Sequence, residues 1–187
     1  MSNKFFLTAL CLSIMVIAES IWSANYLSAA GKIQIKTPLA IIPTPQATLS
    51  LESQNTTAKI GEDFETSIVV DPGVRPFQAV DANIFFDKDK LQVKEIIPTV
   101  TEEGAQYPQN TFDNVKGRLG VSLLLFNQPL AGKTAIAKVI FTPIAQGEAT
   151  VNFDFLLGGK NDSNVVLYKE AVDSLGKVAN LTLTVLP

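Results

Sequence analysis

The sequence contains no histidine, and its only cysteine is Cys11, among 187 residues. Without histidine the chain lacks the commonest general base, the Ser–His and Cys–His nucleophile pairs, and most catalytic zinc sites. With one cysteine it has no intrachain disulfide and no thiolate metal cluster. No oxygen-rich turn has the spacing of a calcium loop either. Together these absences predict a protein that is not an enzyme and that carries neither a metal ion nor a cofactor.

Positive charge is also in the minority. Lys and Arg number 15 against 18 Asp and Glu, which gives a formal net charge of −3. A protein that binds the phosphate backbone of a nucleic acid needs a basic face, so no nucleic-acid partner is expected. Apolar residues make up 47% of the chain. That proportion supplies a packed core and excludes a wholly disordered chain.

The longest apolar run, Phe5–Ala18, lies near the N-terminus and follows the basic residue Lys4. Beyond it, Ser28-Ala29-Ala30 has the small-x-small form of a cleavage site. Residues 1–30 are therefore predicted to be a cleaved signal peptide or an uncleaved signal-anchor helix, and both alternatives stay open. Either one places the rest of the chain outside the cell, secreted or held at the cell surface through the membrane.

Residues 31–46 contain three prolines among Thr, Lys and Gln. Proline fixes φ and removes a backbone donor, so this segment is predicted to be an extended spacer. It separates the leader from a domain at residues 47–187.

The domain is predicted to be built from strands, because apolar and polar residues alternate between turn residues. The nine predicted strands are 47–52, 64–70, 78–86, 91–97, 118–126, 134–142, 148–157, 165–168 and 178–186. The polar stretch 99–114 is predicted to be a loop with room for one short strand. No convincing helical periodicity follows residue 46. The pattern predicts an all-β, antiparallel sandwich of two sheets with jelly-roll topology, preceded by the N-terminal hydrophobic helix.

Four segments carry a more specific pattern, in order along the domain. They are Lys59–Phe64 with Ser67–Asp71, Ala79–Asp87 with Lys90–Val93, Thr134–Phe141, and Gln146–Phe153. The first resembles a VGE-x-F opening before an alternating strand, the second A-x-D-x-x-I-x-Y-D-P-x-x-L-x-V, and the third G-x-I-A-x-I-x-F. Together they resemble the cohesin family over the whole domain.

This resemblance implies a nine-stranded jelly roll that binds dockerin-bearing proteins and has no catalytic activity. In cohesins an Asn and an Asp two residues apart on the third strand hydrogen-bond the dockerin. The matching positions here are Ala79 and Asp81, so the aspartate is kept and the asparagine is replaced. Lys88 stands where the family has proline after the aspartate of the turn.

A binding surface is predicted on one side of the strand 78–86. If Val80 and the alternate residues after it face the core, the residues between them face outward. The same parity applies to the strand 118–126. We predict apolar anchors and polar contacts on this surface at Ala79, Asp81, Asn83, Phe85, Leu124, Phe126 and Asn127. The alternative is that another segment, such as Ile41–Ile42, covers them.

Two other function classes remain open. One is a carbohydrate-binding module, which needs exposed aromatic rings in line. Trp22 lies in the leader, and Tyr107 and Tyr168 lie in or near predicted loops, so the sequence offers little such platform. The other is a structural spacer or adhesion domain of the cell surface.

Overall fold

The computed structural model describes residues 46–159, 161–170 and 173–187. Within these ranges the alternating segments form strands because each buries one row of side chains. In chain order they are β1 (Ala47–Glu52), β2 (Thr57–Lys59), β3 (Phe64–Asp71), β4 (Phe77–Phe86), β5 (Leu91–Pro98), β6 (Ala105–Asp113), β7 (Arg118–Leu125), β8 (Thr134–Pro143), β9 (Gly147–Phe153), β10 (Asn164–Leu167), β11 (Leu175–Ala179) and β12 (Leu181–Leu186).

The predicted leader of residues 1–30, with its hydrophobic helix, lies outside the described residues, and so do residues 31–45 of the predicted spacer. Among the described residues there is no helix long and apolar enough to cross a membrane.

The strands form two sheets. The five-stranded sheet has the order β11-β1-β3-β8-β5, and the seven-stranded sheet has the order β2-β12-β9-β4-β7-β6, with β10 paired to β4. Neighbouring strands are antiparallel except in the pairs β1–β11 and β12–β2, which are parallel. The core lies between the sheets. Its largest fully buried side chains include Phe77 and Phe141.

The predicted all-β sandwich of two sheets is confirmed, but the predicted count of nine strands is too low. Three of the twelve were missed. Strand β2 is only three residues long. Strand β6 runs through the segment predicted to be a loop, because it is a polar, mostly exposed edge strand that contains Pro108. It therefore shows none of the alternation of a strand with a buried face.

The third missed strand comes from the C-terminal segment, which the sequence predicts as one strand. The segment changes sheet at Asn180, so that β11 pairs with β1 and β12 pairs with β9. The Asn180 side-chain oxygen accepts the Phe153 backbone N–H at 2.9 Å, which holds the crossing point against β9. The predicted strand 148–157 ends early, at Phe153.

Side chains of β6 and of the turn after it close one edge of the sandwich. The amide of Asn114 accepts the Val93 N–H at 2.8 Å and donates to the Val93 carbonyl at 3.0 Å, as a neighbouring strand would. The Tyr107 hydroxyl accepts the Val100 N–H at 3.1 Å and donates to the Ile136 carbonyl at 2.6 Å. Burial raises the pKa of Tyr107 above its ordinary value.

Candidate functional site: the outer face of the seven-stranded sheet

The outer face is defined here as the side of β9, β4, β7 and β6 that points away from the core. Strand β4 is central to it, and its even-numbered residues from Val80 to Phe86 are buried. Asp81 lies on the outer side, opposite Ser122 of β7 and Asn164 of β10. The Asn164 amide donates to one oxygen of Asp81 at 3.2 Å. The second carboxylate oxygen of Asp81 has no hydrogen-bond donor among the described residues.

Phe85 lies on the predicted side of β4, but it is not the open aromatic ring that the sequence predicts. Arg118 lies opposite it on β7. The Arg118 guanidinium carbon is 4.6 Å from the centre of the Phe85 ring, which is the geometry of a cation–π contact. The Phe85 ring is therefore half-buried. The N–H donors of the Arg118 guanidinium are presented at the surface in place of the ring.

Asn83 also lies on the outer side, where it holds a loop. Its side-chain amide donates to the Asp162 carbonyl at 3.2 Å. Its backbone carbonyl accepts the Asp154 N–H at 2.7 Å. The buried Ser163 hydroxyl accepts the Asn83 N–H and donates to the Asn83 carbonyl, each at 3.0 Å. The sequence predicts Asn83 as a contact for a partner, and in the structure Asn83 also fastens both ends of the loop after β9.

The remaining predicted residues divide into two groups. Ala79 and Leu124 lie opposite each other on β4 and β7 and are half-buried. Phe126, which is 65% exposed, and the exposed Asn127 lie just beyond the end of β7. Asn127 packs on the turn at Gly104, where an added Cβ would be 2.8 Å from its Cγ. Five of the seven predicted residues thus share the outer face, and two lie past its end.

A depression of about 300 Å³ lies near the centre of the outer face. Its floor is Gly120, which lies opposite Asn83 on β4 and Thr111 on β6. A Cβ at Gly120 would collide with the side-chain amide of Gln109. The rim includes Arg118 and residues of the loop after β9. Sequence reasoning missed Gly120, although a glycine inside a strand is a known sign of close approach by another group.

Asp81 and Arg118 on the outer face, and Asp154 just beyond the end of β9, have no ion-pair partner among the described residues. The five-stranded sheet and its edges carry the ion pairs Glu52–Lys133 (2.9 Å), Glu65–Lys138 (2.9 Å) and Asp63–Lys94 (2.6 Å). Three other charged residues of that sheet have no ion pair in the described part of the chain: Asp71, Glu95 and Lys177. Hydrogen bonds from Lys133 and Lys94 hold the pKa values of Glu52 and Asp63 below their ordinary values.

Neither a protein-family model nor a curated protein matches this sequence. Solved structures do. A cohesin module from a family 33 glycoside hydrolase of Clostridium perfringens superposes with a TM-score of 0.59 at 10% identity, over 76% of this chain and 98% of that one. The third ScaB cohesin of R. flavefaciens, solved with a group 1 dockerin, gives 0.57 at 17% identity, over 78% and 99%. This chain has a cohesin-like fold.

A type II cohesin dyad from the ScaA scaffoldin of Acetivibrio cellulolyticus gives a TM-score of 0.58 at 14% identity. The match covers 74% of this chain and 48% of the dyad, so the chain spans about half of that protein. The resemblance that the sequence carries in four short segments is therefore confirmed in the fold. At identities of 10–17%, these matches show similarity of fold alone. The candidate site is defined by the residues of this chain.

Proposed function

We propose that this chain is a non-catalytic docking module that binds a dockerin-like protein on its outer face. The observation that carries the proposal is the depression of about 300 Å³ on the outer face, which is bordered by Arg118 and Asp154. Neither of these charged side chains, nor Asp81 on β4, has an ion-pair partner in the described part of the chain. The cohesin modules with this fold that were solved with dockerins support the same class of partner.

The unpaired charges matter because docking removes water from charged groups. When docking buries a charge that is already in an ion pair, breaking that pair would cost several kcal/mol, because the charge would be left without water and without a partner. A charge without an ion-pair partner can instead gain one from the incoming protein. Asp81, Asp154 and Arg118 can therefore take complementary charges or donors without breaking an existing ion pair. Ion pairs such as Lys94–Asp63 would have to be desolvated or broken by a partner on the other sheet.

The partner's hydrogen bonds differ from those of cohesins that carry the Asn–Asp pair. Position 79 is alanine and offers no side-chain polar group, and Asp81 already accepts one hydrogen bond from Asn164. Polar recognition on β4 thus depends on the free oxygen of Asp81, and the Arg118 guanidinium over Phe85 adds donors on β7. A dockerin-like partner is expected to present a donor to Asp81 and an acceptor to Arg118.

We also propose that the docking domain acts outside the cell. The apolar run and cleavage-like site in residues 1–30, followed by the proline-containing spacer, support export of the docking domain. An uncleaved anchor would hold the domain at the cell surface through the membrane, and a cleaved signal would release it. In both cases the module acts outside the cell, where it joins its partner to a surface or to another protein.

Carbohydrate binding is the weaker candidate for the same face. A sugar ring stacks on an open aromatic ring, but the Phe85 ring is covered by Arg118 at 4.6 Å. The polar depression over Gly120 remains available to a hydroxylated ligand. A structural spacer would need neither this depression nor the unpaired charges that border it.

The test uses the full chain in mild detergent against a panel of yeast-displayed dockerin modules, with a glycan array in parallel. Asp81→Lys should weaken every dockerin that binds by at least tenfold. The matched control is Glu95→Lys, the same charge change at an exposed residue of β5 without an ion pair among the described residues. The control should leave affinity within twofold. The proposal is wrong if no dockerin binds, if glycans bind instead, or if both substitutions act equally.

A further inference from the structure

The turn that follows β9 exposes two adjacent leucines. Leu156 is 73% exposed and Leu157 is 64% exposed. The preceding residue, Phe155, instead packs against the hydrophobic core. Two neighbouring aliphatic side chains in water are costly, and clustered exposed apolar residues mark interaction sites. We call the segment Leu156–Gly159 the leucine turn.

Two hydrogen bonds and a glycine with positive φ shape the leucine turn. The Gly159 N–H donates to the Leu156 carbonyl at 2.7 Å, which closes a four-residue turn. Gly158 has a φ of +79°, the left-handed conformation required at the third position of a type II turn. The Asp162 carboxylate accepts the Leu156 N–H at 2.6 Å. An added Cβ at Gly159 would collide with that carboxylate.

The ends of this loop adjoin the outer face. Asp154 and Ser163 are both hydrogen-bonded to Asn83 of β4. Asp154 and Asn161 also line the depression over Gly120. A protein that covers the depression therefore contacts the base of the loop that carries the two leucines. The two leucines thus belong to a loop whose ends border the surface proposed for docking.

We propose that the leucine turn is an apolar anchor for the same polypeptide partner, an inference that rests on the docking function proposed above. The partner carries an apolar patch beside the polar groups that meet Asp154 and Arg118. An apolar contact next to a polar rim is the composition of a protein interface. Because the turn is already ordered by Asp162, little conformational freedom is lost when it is buried. A glycan is covered with hydroxyl groups, whose burial against Leu156 and Leu157 without hydrogen-bond partners would be unfavourable.

The test measures the affinity of the full chain for the displayed dockerins that bind it. Leu156→Ser and Leu157→Ser should each weaken binding by about tenfold or more, as loss of an interface anchor does. The matched control is Val74→Ser, at a residue 89% exposed in the connection between β3 and β4. It should change affinity less than twofold. All three variants should unfold at the wild-type temperature, since exposed substitutions alter stability little.

A further variant, Gly159→Ala, separates the conformation of the turn from its leucines. It keeps both leucines but displaces the Asp162 carboxylate, and it should weaken binding by a similar factor. If Asp81→Lys abolishes binding while the leucine variants do not, the anchor is refuted and the docking function stands. If no dockerin binds, both fail. Leucine variants that instead reduce self-association, measured by sedimentation, or vesicle binding would assign the turn to a second copy or to a membrane and refute the anchor.

Discussion

The adjacent residues Phe85 and Phe86 allow the assignment of the two sides of β4 to be tested by stability alone. Phe86 is 6% exposed, and its ring lies edge-on to Phe141 with the centroids 5.6 Å apart. Phe85 points the other way, is half-buried, and has the Arg118 guanidinium over its ring. Replacing Phe86 with alanine removes a phenyl ring from the core side of β4. Replacing Phe85 with alanine removes the same group from the outer face.

The expected losses differ severalfold. A buried Phe→Ala substitution costs about 3–5 kcal/mol of unfolding free energy, because it leaves a cavity as well as losing burial. Phe85→Ala loses partial burial and a cation–π contact, together about 1 kcal/mol. Because 1 kcal/mol shifts Tm by about 2–4 °C in a domain near 150 residues, Phe86→Ala should lower Tm by about 6–20 °C. Phe85→Ala should lower it by about 2–4 °C.

The measurement is thermal unfolding of both variants, followed by circular dichroism and repeated by denaturant titration to obtain the free energy directly. Arg118→Met serves as a control, because it removes the cation over the Phe85 ring and leaves the ring in place. Similar large losses in the two phenylalanine variants would mean that both sides of β4 are covered. The outer face would then be core, and the docking proposal would lose its surface.

Three further perturbations test other contacts of the fold. Tyr107→Phe leaves the Val100 N–H without its hydrogen-bond partner and removes one of the two hydrogen bonds to the Ile136 carbonyl, which should cost about 1–3 kcal/mol in denaturant titration; an unchanged midpoint would contradict that bridge. Gly117→Ala should cost more than about 1 kcal/mol, because φ is +66° and the new Cβ would lie 2.6 Å from the Phe86 carbonyl oxygen; a neutral result would contradict this geometry. The pKa of Asp63 is lowered in the folded state by its hydrogen bond from Lys94, so its contribution is present at neutral pH and is lost as the pH falls below about 4. Tm measured from pH 7 to pH 2 should therefore fall less steeply in Lys94→Met, and an equal slope would argue against the pair.

The strands that the sequence predicts well are those with one buried side. β3, β4 and β8 are each eight to ten residues long and carry buried residues at alternate positions over much of their length. Alternation with period two is visible in a single sequence because it depends only on which side of the strand meets the core. The same parity places Asp81, Asn83 and Phe85 together on the outer side of β4.

What the sequence does not predict depends on partners far away along the chain. β6 is an edge strand whose pairing with β7 leaves most of its side chains in water, so no alternation marks it. The end of β9 depends on Ser163, which bonds Asn83 from 80 residues away. The sequence therefore extends that strand through Leu156 and Leu157. The cover over Phe85 likewise depends on Arg118, a residue of the neighbouring strand.

The central claim is that a partner docks on the outer face and on the leucine turn. Methyl cross-saturation NMR tests it most directly, with the deuterated, methyl-labelled full chain bound to the tightest displayed dockerin. The account predicts that the methyl signals of Leu124, Leu156 and Leu157 lose intensity when the partner is saturated. It also predicts that Ile97 and Ile140, on the solvent side of the five-stranded sheet, keep theirs. Loss at Ile97 and Ile140, with Leu124 unchanged, would contradict the account.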